Sequence, residues 1–233
     1  MSKWDNYYER LVGGSDTESF ATRMRRRRWD RLLETFPRLS DMRVLDLGGT
    51  AESWSLCPVR PTHVALLNTF TTPDDPGPGF EHIVGDACRP PRSVTDNDWD
   101  LVYSNSVIEH VGGYARRLEF SDMVRSLAPG YWIQTPNRYF PIEPHWLFPG
   151  FQFLPVTART SVAMHWPLYK WRSDDRERAL REVLEIELLS RTEIKSLFPD
   201  ARVVREKWVG LTKSYIALRT SSDRETAGTM TGE

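Results

Sequence analysis

The sequence predicts an α/β protein with a doubly wound, seven-stranded, mostly parallel sheet that ends in an antiparallel hairpin. Three observations support this. Short apolar runs alternate with helical stretches along residues 43–135, each run ends in glycine or polar residues, and two further runs lie close together near the C-terminus. Strands that alternate with helices form parallel sheets through βαβ crossovers. Two adjacent strands with a short connection form a hairpin.

Residues 1–38 are expected to form an N-terminal helical arm. Ser15-Asp-Thr-Glu18 has the Ser-x-x-Glu form of a capping box, and the helix that follows is expected to run to Phe36. Arg23 and Arg25 to Arg28 form a basic run within it. We interpret the run as a solvated helix face, because the formal net charge of the chain is −1 and no RNA-binding motif accompanies it.

Five strands are expected in the central part of the chain, because apolar residues there form short runs bounded by turn residues. They lie at residues 43–47, 62–67, 81–84, 99–103 and 131–135. A helix is expected between the fourth and fifth strands, over 114–127. Its predicted core face consists of Leu118, Met123, Val124 and Leu127.

The segment 136–171 combines many prolines and aromatic residues with no clear periodicity. This composition predicts a structured cover inserted after the fifth strand, which we expect to form the roof of a pocket. A charged helix is expected over 173–189. Ser190-Arg-Thr-Glu193 then forms a second capping box ahead of another short helix.

The C-terminal part of the chain is expected to close the sheet. Residues 201–208 and 213–218 alternate in hydrophobicity and are predicted to pair as a hairpin. Residues 1–219 are therefore predicted to be a single domain. The remaining 220–233 are rich in Ser, Thr and Gly, which predicts a disordered tail.

Composition excludes several classes of protein. The two cysteines, Cys57 and Cys88, cannot form a disulfide framework and lack metal-site spacing. No apolar run approaches the roughly 20 residues that span a bilayer, and the first residues lack the apolar core of a signal peptide. We expect a cytoplasmic protein with neither a membrane nor a nucleic-acid partner, because its charges nearly balance. The sequence leaves the oligomeric state open.

Polar or glycine residues follow four successive predicted strands. Ligands bind beyond the carboxyl ends of the strands in a doubly wound sheet, so these residues are candidates for one cofactor site. Glycine lets the backbone approach a ligand closely, a side-chain amide can bond hydroxyls, and a carboxylate can accept from an amine. The candidates are Asp46, Gly48, Gly49 and Thr50 at the first strand, Asn68 at the second, Asp86 and Ala87 at the third, and Ser104, Asn105 and Ser106 at the fourth.

Three segments resemble the motifs of class I S-adenosylmethionine-dependent methyltransferases: Val44-Leu-Asp-Leu-Gly-Gly49, Gly85-Asp-Ala87 and Asp100 to Val111. The resemblance implies a Rossmann-like methyltransferase fold with S-adenosyl-L-methionine as cofactor, and a contact between Asp86 and its adenine. Thr135 to His145 resembles a segment of methyltransferases from sugar and natural-product pathways. This second similarity implies O-methylation of a small-molecule acceptor.

The chain departs from the family pattern at two places. Ala51-Glu-Ser53 follows the first motif where the family often has a third glycine. Asn68 stands where the family often has an acidic residue for the ribose hydroxyls, and an amide makes a weaker bond to a hydroxyl than a carboxylate does.

Methylation of a hydroxyl needs a group that removes its proton, and His145 is the predicted general base. Glu143 is expected to orient His145 or to receive a substrate hydroxyl, and His110 is the second candidate for the base. The alternative interpretation makes His145 a loop residue and His110 a residue that packs beneath the cofactor. No compact cluster of metal ligands is visible in the sequence, so no metal site is predicted and the sequence leaves open whether a divalent metal assists.

Two further functions share the same fold. One is an RNA methyltransferase that uses the arginine run, and the other is a non-catalytic cofactor-binding protein. A dinucleotide oxidoreductase is disfavoured, because Gly48-Gly-Thr-Ala-Glu-Ser53 does not fit the G-x-G-x-x-G pattern.

Overall fold

A computed structural model describes residues 20–71, 75–169 and 174–223. The strands are β1 (Arg43–Leu47), β2 (His63–Asn68), β3 (Phe80–Val84), β4 (Leu101–Asn105), β5 (Gly130–Pro136), β6 (Ile142–Glu143), β7 (Phe148–Pro149), β8 (Arg202–Trp208) and β9 (Leu211–Arg219). The α-helices are α1 (Phe20–Thr35), α2 (Ala51–Trp54), α3 (Arg92–Thr95), α4 (Tyr114–Leu127), α5 (Val156–His165), α6 (Arg176–Glu185) and α7 (Arg191–Leu197). Two 3-10 turns lie at Leu39–Asp41 and Phe151–Phe153.

Seven strands form one sheet in the order β3-β2-β1-β4-β5-β9-β8. The first five are parallel, whereas β9 runs antiparallel to both β5 and β8. The predicted fold class is confirmed. Because β1 lies beside both β2 and β4, the strand order reverses at β1, and this is where ligands bind in such sheets.

The sheet is covered on both faces because its buried strands alternate their side chains between two apolar clusters. One cluster joins α1 and α2 to the sheet through residues such as Trp29, Leu32 and Trp54. The opposite cluster joins α4 and α7 through residues such as Phe120 and Ile194. Helices therefore pack on both faces of the sheet, as predicted for a doubly wound fold.

One helix prediction is not tested and another is correct only in part. The capping box at residues 15–18 lies outside the described residues, and the described helix α1 begins at Phe20. Helix α4 has the predicted bounds, and of its predicted core residues Val124 is buried and Leu127 packs against the core, whereas Leu118 is 42% exposed. The buried residues of α4 are Arg117, Phe120, Ser121 and Val124. They form a stripe of helical period in which an arginine and a serine occupy buried positions, so hydrophobicity alone identifies the buried face only in part.

The cover has more regular structure than its composition predicts, since it contains the β6–β7 hairpin, a 3-10 turn and α5. Its aromatic residues Trp146, Phe151 and Tyr169 pack with residues of α6 in a separate apolar cluster. The chain leaves the sheet after β5 and returns to the same place, because Asn137 pairs with Leu189 in an isolated parallel bridge. The backbone N–H of Arg138 also donates to the Leu189 carbonyl over 3.0 Å.

The C-terminal elements largely follow the sequence. Ser190 and Glu193 make the predicted capping box, whereas α6 is shorter than the predicted helix and is capped by Asp175. In the predicted tail, residues 221–223 form a helical turn and residues 224–233 are not described. The division into a single domain over 1–219, with an arm and a cover, stays a proposal. Among the described residues, no helix has the length and apolarity needed to cross a membrane.

Candidate functional site

The carboxyl ends of β1, β2, β3 and β4 lie side by side along one edge of the sheet. Leu47 is in register with Leu67 and with Ser104, and Asn68 is in register with Val84. Backbone bonds continue beyond the strand ends, because Gly48 N–H donates to Leu67. The structure therefore brings the residues predicted for the cofactor to a single edge, as the parallel topology requires.

The glycine turn after β1 is tightly enclosed. Gly48 has a φ of +79°, which favours glycine, and a Cβ built on it would lie 2.5 Å from a methyl group of Val107. A Cβ on Gly49 would lie 1.7 Å from Oδ2 of Asp46. Glycine at position 49 is thus required by the protein's own carboxylate, and not only by the close approach of a ligand.

Asp46 is fully buried at the centre of this edge. Its Oδ2 accepts a 2.8 Å bond from Nε1 of Trp54, while its Oδ1 has no hydrogen-bond partner among the described residues. Burial raises the pKa of the Asp46 carboxyl to about 7, an effect that the Trp54 bond only partly offsets. A ligand that brings a cationic donor to Oδ1 would stabilise the ionised form.

The polar residues at the neighbouring strand ends are held by the protein. The Asn68 side-chain amide donates to the Gly49 carbonyl over 2.9 Å, and its amide oxygen is the atom that could accept a hydroxyl. Asp86 accepts from the Cys88 backbone and from Arg116. Although partial burial acts in the opposite direction, the bond from Arg116 lowers the pKa of Asp86.

Residues after β1, β3 and β4 mostly shape the edge. Thr50 caps α2 by accepting from the Ser53 backbone, and Ala87 packs against the core. Ser104 donates to the Leu47 carbonyl over 3.1 Å. Ser106 adopts a φ of +58° and donates to the side-chain oxygen of Gln134 over 3.0 Å.

Arg28 is a site residue that the sequence interpretation missed. Its guanidinium bonds both carboxylate oxygens of Glu206, which is buried, and also donates to the side chain of Asn105. Arg23 and Arg25 to Arg27 are exposed, as expected for a solvated helix face. Arg28 is not solvated in this way, because its guanidinium is paired with the buried Glu206. Glu206 lies 178 residues away in the sequence, so no local pattern reveals the pairing.

The three residues predicted as catalytic form one connected group. His145 Nδ1 lies 2.6 Å from Glu143 Oε1, and His145 Nε2 lies 3.2 Å from Nε2 of His110. The other oxygen of Glu143 accepts from the backbone of His145 and of Trp146 over 2.7 and 2.9 Å. Three hydrogen bonds therefore hold Glu143 in place, and it in turn fixes the His145 ring.

Glu109 joins this group although the sequence analysis did not select it. It is fully buried, its Oε2 accepts a 2.8 Å bond from Thr135, and its Oε1 has no partner within the described part of the chain. One ligand atom from each of Glu109, His110 and His145 lies within 4.8 Å of the others. The compact group of metal-ligand atoms that the sequence did not reveal is thus present in the fold.

Burial and the neighbouring charges shift the pKa values of Glu109, His110 and His145 in different directions. Burial raises the pKa of Glu109 to about 7. Burial and the neighbouring His145 lower the pKa of His110 to about 4. Although burial opposes it, the bond and charge of Glu143 raise the pKa of His145. The two histidines therefore differ strongly in their affinity for a proton.

A cavity of about 420 Å³ lies beneath the cover, with Glu143 in its wall. Its lining includes Arg117, Arg138 and Arg159. Some buried polar atoms of this lining have no hydrogen-bond partner among the residues that the structure describes: Arg117 Nε and Nη1, Trp146 Nε1, Gln152 Oε1 and Arg159 Nε. Most of these atoms are donors, so the cavity is suited to a ligand rich in acceptor oxygens.

Comparison with solved structures identifies the fold. Magnesium protoporphyrin IX methyltransferase from Synechocystis PCC 6803, crystallised with SAH, is 11% identical, has a TM-score of 0.51, and is matched over 93% of both chains. The N-terminal domain of EvdMO1, crystallised in the presence of SAH and D-fucose, is 13% identical with a TM-score of 0.51, over 92% of this chain and 93% of that one. This chain has the class I methyltransferase fold.

The chain is also similar in structure to a protein with a less specific name. A possible exported protein from Bordetella parapertussis is 15% identical with a TM-score of 0.52, over 92% of this chain and 71% of that one. No protein-family profile and no curated protein match this sequence. At such low identities the comparisons establish the fold, so the activity has to be argued from the site.

Proposed function

We propose that the protein is an S-adenosyl-L-methionine-dependent methyltransferase that methylates a hydroxyl group of a small molecule. The observation that carries the proposal is the position of the Glu143–His145 pair. Glu143 lies in the wall of a cavity suited to a polar acceptor and bonds His145, within a fold whose strand ends present the glycine turn and Asp46. An acceptor site and a cofactor site are both needed for methyl transfer.

The residues at the sheet edge fit the cofactor. The unpartnered Oδ1 of Asp46 can accept from an ammonium group, and the backbone of the Gly48–Gly49 turn can approach an amino-acid moiety closely. The Asn68 oxygen can accept from a ribose hydroxyl, and Asp86 from an adenine amine. S-adenosylmethionine supplies an activated sulfonium methyl group when bound, so the protein needs mainly to align the acceptor and exclude water.

The cavity beneath the cover is the proposed acceptor site. Arg159 presents an Nε donor that lacks a hydrogen-bond partner in the described chain, whereas Arg117 and Arg138 are ion-paired with Glu187 and Glu193. We therefore expect an acceptor that carries several hydroxyls or a single anionic group. Glu143 connects this cavity to His145. The proton of the acceptor hydroxyl is therefore removed at His145, whose Nε2 is not engaged by Glu143, with His110 beside it.

Calorimetry tests the cofactor assignment. Titration with S-adenosylmethionine, S-adenosylhomocysteine and NAD should show binding of both adenosyl ligands and no binding of NAD. Binding of NAD alone would contradict the proposal. A panel of hydroxylated acids and their neutral analogues, assayed for methyl transfer, then identifies the acceptor class.

Two alternatives share the fold and are separated by the same experiments. Tight binding of S-adenosylmethionine without transfer to any acceptor would indicate a non-catalytic cofactor-binding protein. Salt-sensitive binding of RNA would indicate an RNA methyltransferase. No contact of the exposed arginines Arg23 and Arg25 to Arg27 with the cluster around His145 is found in the described structure, so we favour a small-molecule acceptor.

A further inference from the structure

We infer that Glu109, His110 and His145 form a binding site for a divalent transition-metal ion. The three residues offer one carboxylate oxygen and two imidazole nitrogens within 4.8 Å of one another. They come from the loop after β4 and from the cover, so the site forms only where these two segments meet. The inference rests on the proposed function and revises one step of it, because a metal ion bound through Nε2 of His145 would replace that nitrogen in activating the acceptor hydroxyl.

The distance between the two histidines fits a shared metal ion. Nitrogen ligands bound at about 2.0–2.1 Å lie about 3.3 Å apart at a tetrahedral angle and about 2.9 Å apart at a right angle. His110 Nε2 and His145 Nε2 lie 3.2 Å apart, between these two values. A bond between two neutral imidazoles accounts for this distance but leaves Oε1 of Glu109 without a partner.

The buried carboxylates supply a second, independent reason. Glu109 is fully buried and Glu143 is 1% exposed, and a buried ionised carboxylate is stable only where hydrogen bonds or positive charge compensate it. No hydrogen-bond partner for Oε1 of Glu109 is found in the described residues. A divalent cation bound to this oxygen would satisfy the atom and balance both carboxylates.

Glu143 has the position of a supporting residue in a metal site. Metal-bound histidines usually donate their second ring nitrogen to a carboxylate, which fixes the ring and raises its basicity. His145 Nδ1 lies 2.6 Å from Glu143 Oε1, while its Nε2 points to His110. The ring is therefore oriented for metal binding through Nε2.

The ligand set selects the kind of metal. Two imidazoles and one carboxylate suit Zn²⁺, Co²⁺, Fe²⁺ or Mn²⁺ better than Mg²⁺ or Ca²⁺, which prefer oxygen ligands. Three protein ligands leave a coordination position open, as in catalytic zinc sites. If the proposed methyl transfer is correct, the acceptor hydroxyl takes this position and releases its proton to water. Its oxygen then attacks the methyl carbon as the carbon–sulfur bond breaks.

Metal binding can be measured without an acceptor. Protein freed of metal with a chelator and then dialysed should bind one equivalent of Co²⁺, with visible absorption bands of a four- or five-coordinate ion. Glu109→Gln, His110→Ala and His145→Ala should each abolish these bands. Glu143→Gln should keep the bands and weaken Co²⁺ binding by about 10- to 100-fold, because the residue only supports a ligand.

The control is His165→Ala, since His165 is exposed and its Nδ1 bonds the Ser161 carbonyl away from the group. This variant should bind Co²⁺ as the native protein does. Circular dichroism and S-adenosylmethionine binding show that each variant is folded. The inference is overturned if native protein binds no Co²⁺, or if folded Glu109→Gln, His110→Ala and His145→Ala proteins bind it with unchanged affinity.

Methyl-transfer assays then separate this inference from the proposed function. Full turnover in chelator-treated protein would overturn the metal site and leave His145 as a general base. A chain that binds Co²⁺ but no adenosyl ligand would support the metal site and contradict the proposed methyltransferase.

Discussion

The sheet edge and the space beneath the cover differ in how completely their polar groups are paired. At the edge, Asn68, Asp86 and Asn105 each bond another part of the protein. Beneath the cover, Glu109 and Arg159 retain buried polar atoms with no hydrogen-bond partner in the described regions. The edge is therefore largely complete in the free protein, whereas the space beneath the cover gains its missing bonds from what it binds.

Asp46 is the exception at the edge, because its buried Oδ1 also has no hydrogen-bond partner in the described chain. Unsatisfied buried groups cost stability, and proteins keep them mainly where they have a role. This contrast suggests that the fold is stabilised by the edge and that specificity resides beneath the cover.

The largest expected effect is the loss of turnover in His145→Ala. Removal of the group that activates the acceptor hydroxyl should lower turnover by about 10²–10⁴-fold. Affinity for S-adenosylmethionine should stay unchanged, because His145 bonds Glu143 and His110 and none of the strand-end residues. Steady-state kinetics and calorimetry measure the two effects, with His165→Ala as the matched control. Equal turnover in both variants would remove His145 from the mechanism.

Substitutions of Arg219 and Arg159 compare a fully paired arginine with one beneath the cover by their effect on the free energy of unfolding. Arg219 bonds Asp200 and the carbonyls of Arg125, Ala128 and Pro129, so Arg219→Met leaves buried acceptors unpaired. We expect a loss of about 3–5 kcal/mol in the free energy of unfolding, measured in urea.

Arg159→Met should behave differently from Arg219→Met. Because Nε of Arg159 has no hydrogen-bond partner in the described residues, we expect a change below about 1 kcal/mol. The variant should instead weaken binding of an anionic acceptor. Similar destabilisation by both substitutions would show that the arginines of the cavity stabilise the fold.

The glycine turn tests how rigid the sheet edge is. Gly49→Ala places a Cβ 1.7 Å from Asp46 Oδ2, so the turn or the carboxylate must move. Overpacking of this kind costs about 1–3 kcal/mol, and we also expect the loss of S-adenosylmethionine binding. Gly113→Ala is the control, because no described atom lies within 4 Å of its added Cβ. Thermal unfolding and calorimetry compare the two variants.

The last expected effect is a change in the pH dependence of stability in Asp46→Asn. Burial raises the Asp46 pKa from its ordinary 3.8 to about 7, so its protonated form favours the folded state. This contribution is complete below about pH 3.8 and is lost as the pH rises through about 7. The melting temperature of Asp46→Asn relative to the native protein should therefore be higher at pH 8 than at pH 5. A difference independent of pH would show that Asp46 is ionised throughout.

The sheet could be predicted from the sequence because local patterns determine it. Residues 43–47 form an apolar run that ends in two glycines, and the bounds of β1 match the prediction. The capping box at Ser190 likewise depends on residues three apart in the chain. Short-range rules of this kind can be recognised in a single sequence.

The contacts of the site could be predicted only in part. His110, Glu143 and His145 were selected by residue type, but the contact between His110 and His145 joins residues 35 apart in the sequence. Glu109 was missed because an acidic residue beside a histidine has no distinctive pattern, and its burial depends on packing against Thr135. Arg28 was missed for the same reason, since an arginine within a basic run resembles a solvated one.

The bridge between Asn137 and Leu189 has a consequence for how this protein can change over evolution. The chain departs and rejoins at one point, so the excursion between these residues can be replaced without moving β5 or β9. Longer connections add little entropy cost once the ends are held together. Most of the cavity lining belongs to this exchangeable module. It includes Glu143 and Trp146, which lie close in the chain to the proposed metal ligand His145. Exchange of the module between related chains would transfer acceptor preference while leaving the cofactor edge unchanged.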